Sequence, residues 1–265
     1  MQVNGSVVVI TGGASGIGET VAKDMAKGGA KVVLGDMNQA GLDRVVGEIK
    51  AAGGEAVGVV GSVAKEEDVS NLMETAITKF GALNVVFANA GIISDGLVVD
   101  PDRTTGKVKR VMSLEAFRSV IDVNLVGAFL TVRESMRRMV DHGCKGVVIL
   151  TSSINHTGQV GQINYSSTKA SLALWPKILV GELAMRGLSG IRVAAIAPGY
   201  TATPILMGMN QEALAAILKD VHIGRLVEPA EIASTFRFIV ENDAVDGTLI
   251  EVTGGVTYGA RQRAK

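Results

Sequence analysis

Tyr165 and Lys169 stand four residues apart in the run Tyr165-Ser166-Ser167-Thr168-Lys169. On a helix that spacing puts both side chains on one face, a phenol beside an ammonium. A free tyrosine titrates near ~10, so roughly one in a thousand is ionised at pH 7. Bringing the phenol toward ~7 takes about 4 kcal/mol of preferential stabilisation of the phenolate. A cation in near contact is one source of that stabilisation. A tyrosine so tuned can exchange a proton with a reacting hydroxyl. The same pattern also arises by chance as an amphipathic surface pair, so it needs independent support.

A second cluster is built for binding. Thr11-Gly12-Gly13-Ala14-Ser15-Gly16-Ile17-Gly18 follows the apolar run Val7–Ile10 and opens a segment of helical period. Glycines there permit a tight turn and let the backbone approach a pyrophosphate, and the helix N-terminus offers unpaired N–H groups to the anion. Asp36 ends the next apolar run, 18 residues after Gly18. A carboxylate at that place accepts both hydroxyls of an adenosine ribose and repels a 2′-phosphate. Two unit charges ~4 Å apart interact by about 4 kcal/mol at an effective dielectric of ~20, so NAD is the expected cofactor rather than NADP.

The elements that must position these residues follow from periodicity. Short β-branched runs at 7–10, 31–35, 56–60, 83–88, 146–151, 191–197 and 248–252 alternate with helical segments near 16–28, 38–52, 65–80, 113–141, 164–187 and 228–240. Runs apolar on both faces suit a parallel sheet covered by helices on each side, and the alternation means an α/β, doubly wound fold. Two stretches break the rhythm. Residues 94–110 form a polar excursion whose Asp102–Lys107 segment reads as a turn or small hairpin, and residues 200–226 form a long connection after the sixth strand. Such folds keep binding loops on long connections at strand carboxyl ends. Pro176, inside the helix that starts near Tyr165, predicts a kink.

Composition narrows the function classes. The 265 residues carry 26 basic and 26 acidic side chains, so no global field attracts nucleic acid or an anionic membrane. The basic tail Arg261, Arg263, Lys265 reads as a solvated end. Cys144 is the only cysteine, and His142, His156 and His222 are far apart, so no zinc site of known spacing is expected. Without a signal-peptide pattern or an apolar run of spanning length, a soluble cytoplasmic protein is expected.

The glycines at 12, 16 and 18, with Thr11 before them and Ile17 between, give a loop that resembles the T-G-x-x-x-G-I-G pattern of the short-chain dehydrogenase/reductase family. The resemblance runs from about residue 6 to 255. It implies a single-domain Rossmann fold over 1–265, with a seven-stranded parallel sheet, helices on both faces and a substrate loop near 200–226. NADP-preferring relatives often carry Arg or Lys in the glycine loop or just after the second strand, where this chain has Ser15 and Met37. Asn89-Ala90-Gly91 is similar to the family's N-A-G, which braces the sheet and lines the adenosine side. Pro198-Gly199-Tyr200-Thr201-Ala202-Thr203 resembles the P-G-x-x-x-T segment that holds the nicotinamide carboxamide. One departure is Ser62-Val63, where the family usually has Asp before Val facing the adenine amino group.

The same resemblance assigns chemistry. Ser152 lies 13 residues before Tyr165, the family's spacing between catalytic serine and tyrosine; Ser153 is the rival for that role. The serine hydroxyl would polarise a carbonyl and steady the alkoxide. Asn124 resembles the helix asparagine that holds a water in a proton relay to the lysine, and could instead be a helix-kinking polar residue. Lys169 would lower the tyrosine pKa and hold the nicotinamide ribose. The implied activity is an NAD-dependent interconversion of a secondary alcohol and a ketone, as in 3-oxoacyl reductases and secondary alcohol dehydrogenases. The expected pocket has apolar walls at Ile93, Ile154, Tyr200, Ile205, Leu206 and Met209, with Asn155, His156 and Gln159 as polar contacts. A homotetramer through helices 113–141 and 164–187 is implied. The alternative is a catalytically silent NAD(H)-binding regulator, which loss of Tyr165, Lys169 or Ser152 would have favoured; all three are present. An epimerase or lyase of the extended branch would carry a separate substrate domain.

Overall fold

The β-branched runs become strands, the central ones buried along their length, as strands covered on both faces must be, and the edge runs 55–60 and 248–252 partly exposed. They are Val7–Thr11 (β1), Lys31–Asp36 (β2), Glu55–Val60 (β3), Val85–Ala88 (β4), Gly146–Thr151 (β7), Ile191–Pro198 (β8) and Thr248–Val252 (β9). The computed structural model describes residues 1–257, the side chains at 205, 211 and 213 excepted. The seven strands lie parallel in the order β3-β2-β1-β4-β7-β8-β9. The order reverses between β1 and β4, and such folds bind ligands in the crevice beyond the strand ends at that point.

Alternation along each strand sorts the core into two layers. Val8, Ile10, Val32, Leu34, Phe87 and Ile149 pack on one face against Gly16–Lys27 (α1), Gln39–Ala51 (α2) and Pro229–Glu241 (α9), with Phe87 and Phe236 rings 4.7 Å apart. Val7, Val9, Val33, Val86, Val148 and Leu150 pack on the other against Glu66–Phe80 (α3), Gly127–Asp141 (α5) and Ile163–Met185 (α6).

The predicted excursion is a two-stranded antiparallel hairpin, Val99–Pro101 (β5) and Val108–Val111 (β6). Asp102 closes its turn, one carboxylate oxygen accepting the Thr104 and Thr105 N–H groups at 2.9 Å each. The helix expected over 113–141 is instead broken: Leu114–Ile121 (α4) passes through a π-helical turn at Asp122–Val126 before α5 begins. By contrast α6 runs on through Pro176, whose side chain is buried. The long connection holds two short helices, Pro204–Met207 (α7) and Gln211–Leu218 (α8), and returns to the sheet where Thr201 bridges Val227. Ile205's side chain and the Arg261, Arg263, Lys265 tail lie outside the described residues. Among the described residues no helix is long and apolar enough to cross a membrane.

Candidate active site

The phosphate loop is shaped by its glycines and tied down by its neighbours. Gly16 has φ +57°, a conformation costly for a side chain. A Cβ on Gly18 would lie 2.1 Å from the Gly12 carbonyl oxygen, so only glycine lets α1 approach the loop this closely. Ser15 precedes α1 without a side-chain cap bond, leaving first-turn amides to a ligand. Ala14 is held at both ends of its peptide units: its N–H donates to Asp36 Oδ2 at 3.1 Å, and its carbonyl accepts from Arg44 at 3.1 Å. Arg44 also grips Glu19 at 2.6 Å, and that guanidinium holds the Glu19 carboxyl down at about 2. Asp36 Oδ1 accepts the Asn38 N–H at 3.0 Å, while Met37 beside it is 73% exposed. Asp36 thus stands at the loop, as its place in the sequence demands.

Asn89 knits the strand ends together. Its Nδ2 donates to the Thr11 and Gly12 carbonyls, and its Oδ1 accepts from the Thr151 hydroxyl at 3.4 Å. The Thr11 hydroxyl accepts the N–H groups of Asn89 and Ala90. Thr203 closes the far side, its Cγ2 falling 3.5 Å from where a Gly16 Cβ would sit. Pro198 ends β8, Gly199 packs on the Thr253 backbone, and Thr201 Oγ1 donates to the Gly199 carbonyl at 3.0 Å. At the end of β3, where the resemblance would have Asp, the Ser62 N–H donates to Asp68 at 2.9 Å, while Val63 packs against Gly127. The cradle of glycines, the carboxylate at its edge and the amides of α1 fit a nicotinamide dinucleotide. Among the described residues no group of three or more His, Cys, Asp or Glu side chains is arranged to hold a metal.

The reacting end is built where β4, β7 and α6 meet. Lys169 is 3% exposed and donates to the Thr151 carbonyl at 2.7 Å, with its ammonium 5.4 Å from the centre of the Tyr165 ring. Burial pushes this lysine down to about 8. Burial also pushes the Tyr165 phenol up; a hydrogen bond with the Ser153 side chain pulls it down and the charge of Asp95 adds to the rise. In the protein alone the phenol is therefore raised rather than lowered, because desolvation of the hydroxyl is the largest influence on it.

The serine spacing points to Ser152, but the structure brings Ser153 to the phenol. Ser152 extends the ladder of β7, its N–H donating to the Ile196 carbonyl at 2.7 Å, and its hydroxyl is spent on the Lys169 carbonyl at 2.7 Å. Successive residues of an extended chain face opposite ways, so Ser153 points to the other side. There its Oγ accepts the Asn155 N–H at 3.2 Å, at the head of the 3-10 turn Ile154–Thr157.

Asn124 explains the π-helical turn. Its Oδ1 accepts the Ile92 N–H at 2.8 Å and its Nδ2 donates to the Ile92 carbonyl at 2.9 Å, locking the segment after Asn89-Ala90-Gly91. A Cβ built on Gly91 would fall 3.3 Å from Asn124 Oδ1 and 3.7 Å from Lys169 Nζ, so asparagine and lysine converge there. Of the expected pocket walls, Ile154 is buried and Ile93 and Met209 are exposed. His156 is less free than a loop histidine: Nδ1 bonds the Ser153 carbonyl at 2.7 Å, and Nε2 lies 3.6 Å from Glu251. Sequence reasoning passed over Arg44, Glu19, Asp68, Asp95 and Gln162. Arg44–Glu48 and Glu19–Lys23 have the i,i+4 spacing of ordinary surface pairs, and Asp68, Asp95 and Gln162 meet their partners only through the fold.

Known proteins resemble this chain in sequence and fold. Residues 6–214 match the short chain dehydrogenase family. The chain is 34% identical over 254 residues to a 3-oxoacyl-[acyl-carrier-protein] reductase of Synechocystis sp., covering 94% of this chain and 96% of that one. It is 35% identical over 253 residues to a cis-4-hydroxycyclohexanecarboxylate dehydrogenase of Sinomonas cyclohexanicum, covering 95% and 96%. Among solved structures, a 3-ketoacyl-(acyl-carrier-protein) reductase of Brucella melitensis complexed with NADH superposes with TM-score 0.80 at 31% identity, covering 96% of this chain and 99% of that one. A 7α-hydroxysteroid dehydrogenase complexed with NADH and 7-oxo glycochenodeoxycholic acid superposes with TM-score 0.85 at 27% identity, covering 97% and 96%. With its glycine cradle, its switch-point crevice and its tyrosine–lysine pair, the chain belongs to the short-chain dehydrogenase family of oxidoreductases.

Proposed function

We propose that the protein interconverts a secondary alcohol and a ketone with NAD(H), using Tyr165 as general acid and base. The observation that carries this reading is a half-buried tyrosine whose phenol bonds the Ser153 side chain, with a buried ammonium over its ring. The nicotinamide, when bound, supplies or accepts the hydride. Ser153 accepts the Asn155 N–H, so its own proton points away from that turn, to the phenol and, when substrate is bound, to the substrate oxygen, where it steadies an alkoxide. Tyr165, held protonated by burial, gives its proton to that oxygen in reduction and takes one back in oxidation. Lys169 stands behind the ring as a cation below about pH 8 and favours the phenolate there. Asn124 holds the Ile92 segment beside that lysine; a water relay through it belongs to the same proposal. Ser152 positions Lys169 through its backbone.

For the cofactor, NAD is favoured by a carboxylate bonded into the glycine loop, with uncharged Ser15 and Met37 beside it. Gly12, Gly16, Ile17, Gly18, Ser62, Val63, Asn89, Ala90, Gly91, Pro198, Gly199, Thr201 and Thr203 complete the proposed cofactor contacts, with 200–226 as the substrate loop. A homotetramer is supported by apolar side chains exposed on α5 and α6, among them Phe129, Leu174 and Ile178, and light scattering tests it. A cytoplasmic location belongs to the same proposal. The functional test is NAD(H)- and NADP(H)-linked turnover of an alcohol and ketone panel at 340 nm. Turnover with NADP alone would overturn the role given to Asp36.

A further inference from the structure

Among the polar groups beside the phenol, Asn155 is unlike its neighbours. Its Nδ2 donates to Gln162 Oε1 at 2.8 Å, and Gln162 Nε2 donates to Asp95 Oδ2 at 2.8 Å. A carboxylate can only accept, so Asp95 sets the direction of the whole relay. Gln162 must turn its NH2 to Asp95 and its oxygen to Asn155; Asn155 must then turn its NH2 to Gln162. The oxygen left at the far end, Asn155 Oδ1, is buried and has no donor among the described residues.

The relay runs along one flank of the reacting groups. Asn155 lies two residues beyond Ser153 and donates its own N–H to that hydroxyl at 3.2 Å. Gln162 precedes Tyr165 by three residues on the approach to α6, and the charge of Asp95 is felt at the phenol. Asp95 is held against this flank by its neighbour Gly96, whose N–H donates to the Gly161 carbonyl at 2.8 Å. Other polar atoms nearby are already used: His156 on the Ser153 carbonyl, Lys169 on the Thr151 carbonyl, Asn164 Nδ2 on the Ser94 carbonyl. A buried acceptor aimed by a fixed relay is suited to a donor that arrives with the ligand.

We infer that Asn155 Oδ1 is a substrate-recognition acceptor, selecting alcohols and ketones with a second, uncharged hydroxyl near the reacting carbon. This rests on the alcohol/ketone reading above. The hydroxyl would donate to Asn155 Oδ1 while the reacting oxygen meets Ser153 and Tyr165. Asp95 and Gln162 act as positioning residues, since they aim the amide without touching the substrate.

The test compares kcat/KM of the full chain on matched probes, cis-1,2-cyclohexanediol against cyclohexanol, with NAD. Wild type should favour the diol by about ten- to a hundredfold, the range expected for satisfying one buried acceptor. In Asn155→Leu the diol/cyclohexanol ratio should fall toward unity, and in Asp95→Asn, where the relay loses its direction, it should fall several-fold. Because each variant is read as its own ratio, a general loss of activity does not mimic the effect. A wild-type ratio near one, or a ratio preserved in Asp95→Asn or Asn155→Leu, would overturn the inference. Turnover of neither probe nor any other alcohol or ketone by wild type would instead remove the reading on which it rests.

Discussion

Ser152 and Ser153 are adjacent, chemically identical and structurally opposite, so alanine at each position separates catalysis from support. Ser153→Ala removes the hydroxyl that touches the Tyr165 phenol. If that hydroxyl stabilises the developing alkoxide, its loss costs about 2.7–4 kcal/mol in the transition state, or roughly 10²–10³ in kcat. Its structural loss is the small one of a turn-heading side chain that, besides the phenol, bonds the Asn155 N–H at 3.2 Å, about 1 kcal/mol. Ser152→Ala removes a 2.7 Å bond to the Lys169 carbonyl at a site 1% exposed. That carbonyl keeps its place in the ladder of α6, so the cost is one neutral hydrogen bond, about 1 kcal/mol and a few degrees in Tm. Its kcat should stay within about tenfold, any loss coming through displacement of Lys169. Steady-state kinetics and thermal melts of both variants, with NADH affinity as a control for folding, give the comparison. A hundredfold fall in kcat for Ser152→Ala, with Ser153→Ala near wild type, would refute the assignment and restore the role implied by spacing.

Other outcomes follow from the same geometry. Asp36→Asn keeps an acceptor at the loop but removes its charge; the NADP/NAD ratio of kcat/KM should rise about ten- to a hundredfold, and an unchanged ratio would deny Asp36 its discriminating role. Gly18→Ala forces a Cβ to 2.1 Å from the Gly12 carbonyl, so α1 must retreat; a loss of about 1–3 kcal/mol and a weakened NADH Kd are expected. Gly47→Ala in α2, with nothing within 4 Å of the new Cβ, should instead gain about 0.5–1 kcal/mol, and the two together test the close approach in urea titrations. Lys169 is pushed from 10.5 down to about 8, so between those values the unfolded chain binds more protons than the folded one. This group's contribution to stability therefore rises with pH across that window. Urea-derived stability of wild type minus Lys169→Met should climb from pH 8 to 10.5, and a flat or falling difference would contradict the burial of a titrating lysine.

Much of the architecture was legible because periodicity reports burial directly. Val7–Ile10 and Lys31–Gly35 can only be strands covered on both sides, and the glycine loop between a strand and a helix leaves little choice of geometry. Asp102 announced the hairpin turn because its side chain competes for local amides. Legibility ended where a role depends on direction or on distant partners. Whether Ser152 or Ser153 faces the phenol is decided by where β7 yields to a 3-10 turn, a boundary that composition does not mark. The π-helical turn at Asp122–Val126 exists because Asn124 reaches back to Ile92, 32 residues earlier. The Asp95–Gln162 bond spans 67 residues and carries no local signal at either end. Pro176 predicts a kink, and α6 runs on through it from Ile163 to Met185 with the ring buried.

The most direct test of the central claim is turnover by wild type and Tyr165→Phe at equal NADH occupancy, following ketone reduction at 340 nm. Removing only the phenolic hydroxyl leaves the ring beneath Lys169 in place. The account predicts intact NADH binding, an unchanged melt, and a fall in kcat of about 10²–10⁴. A Tyr165→Phe variant that reduces ketones at the wild-type rate would contradict it.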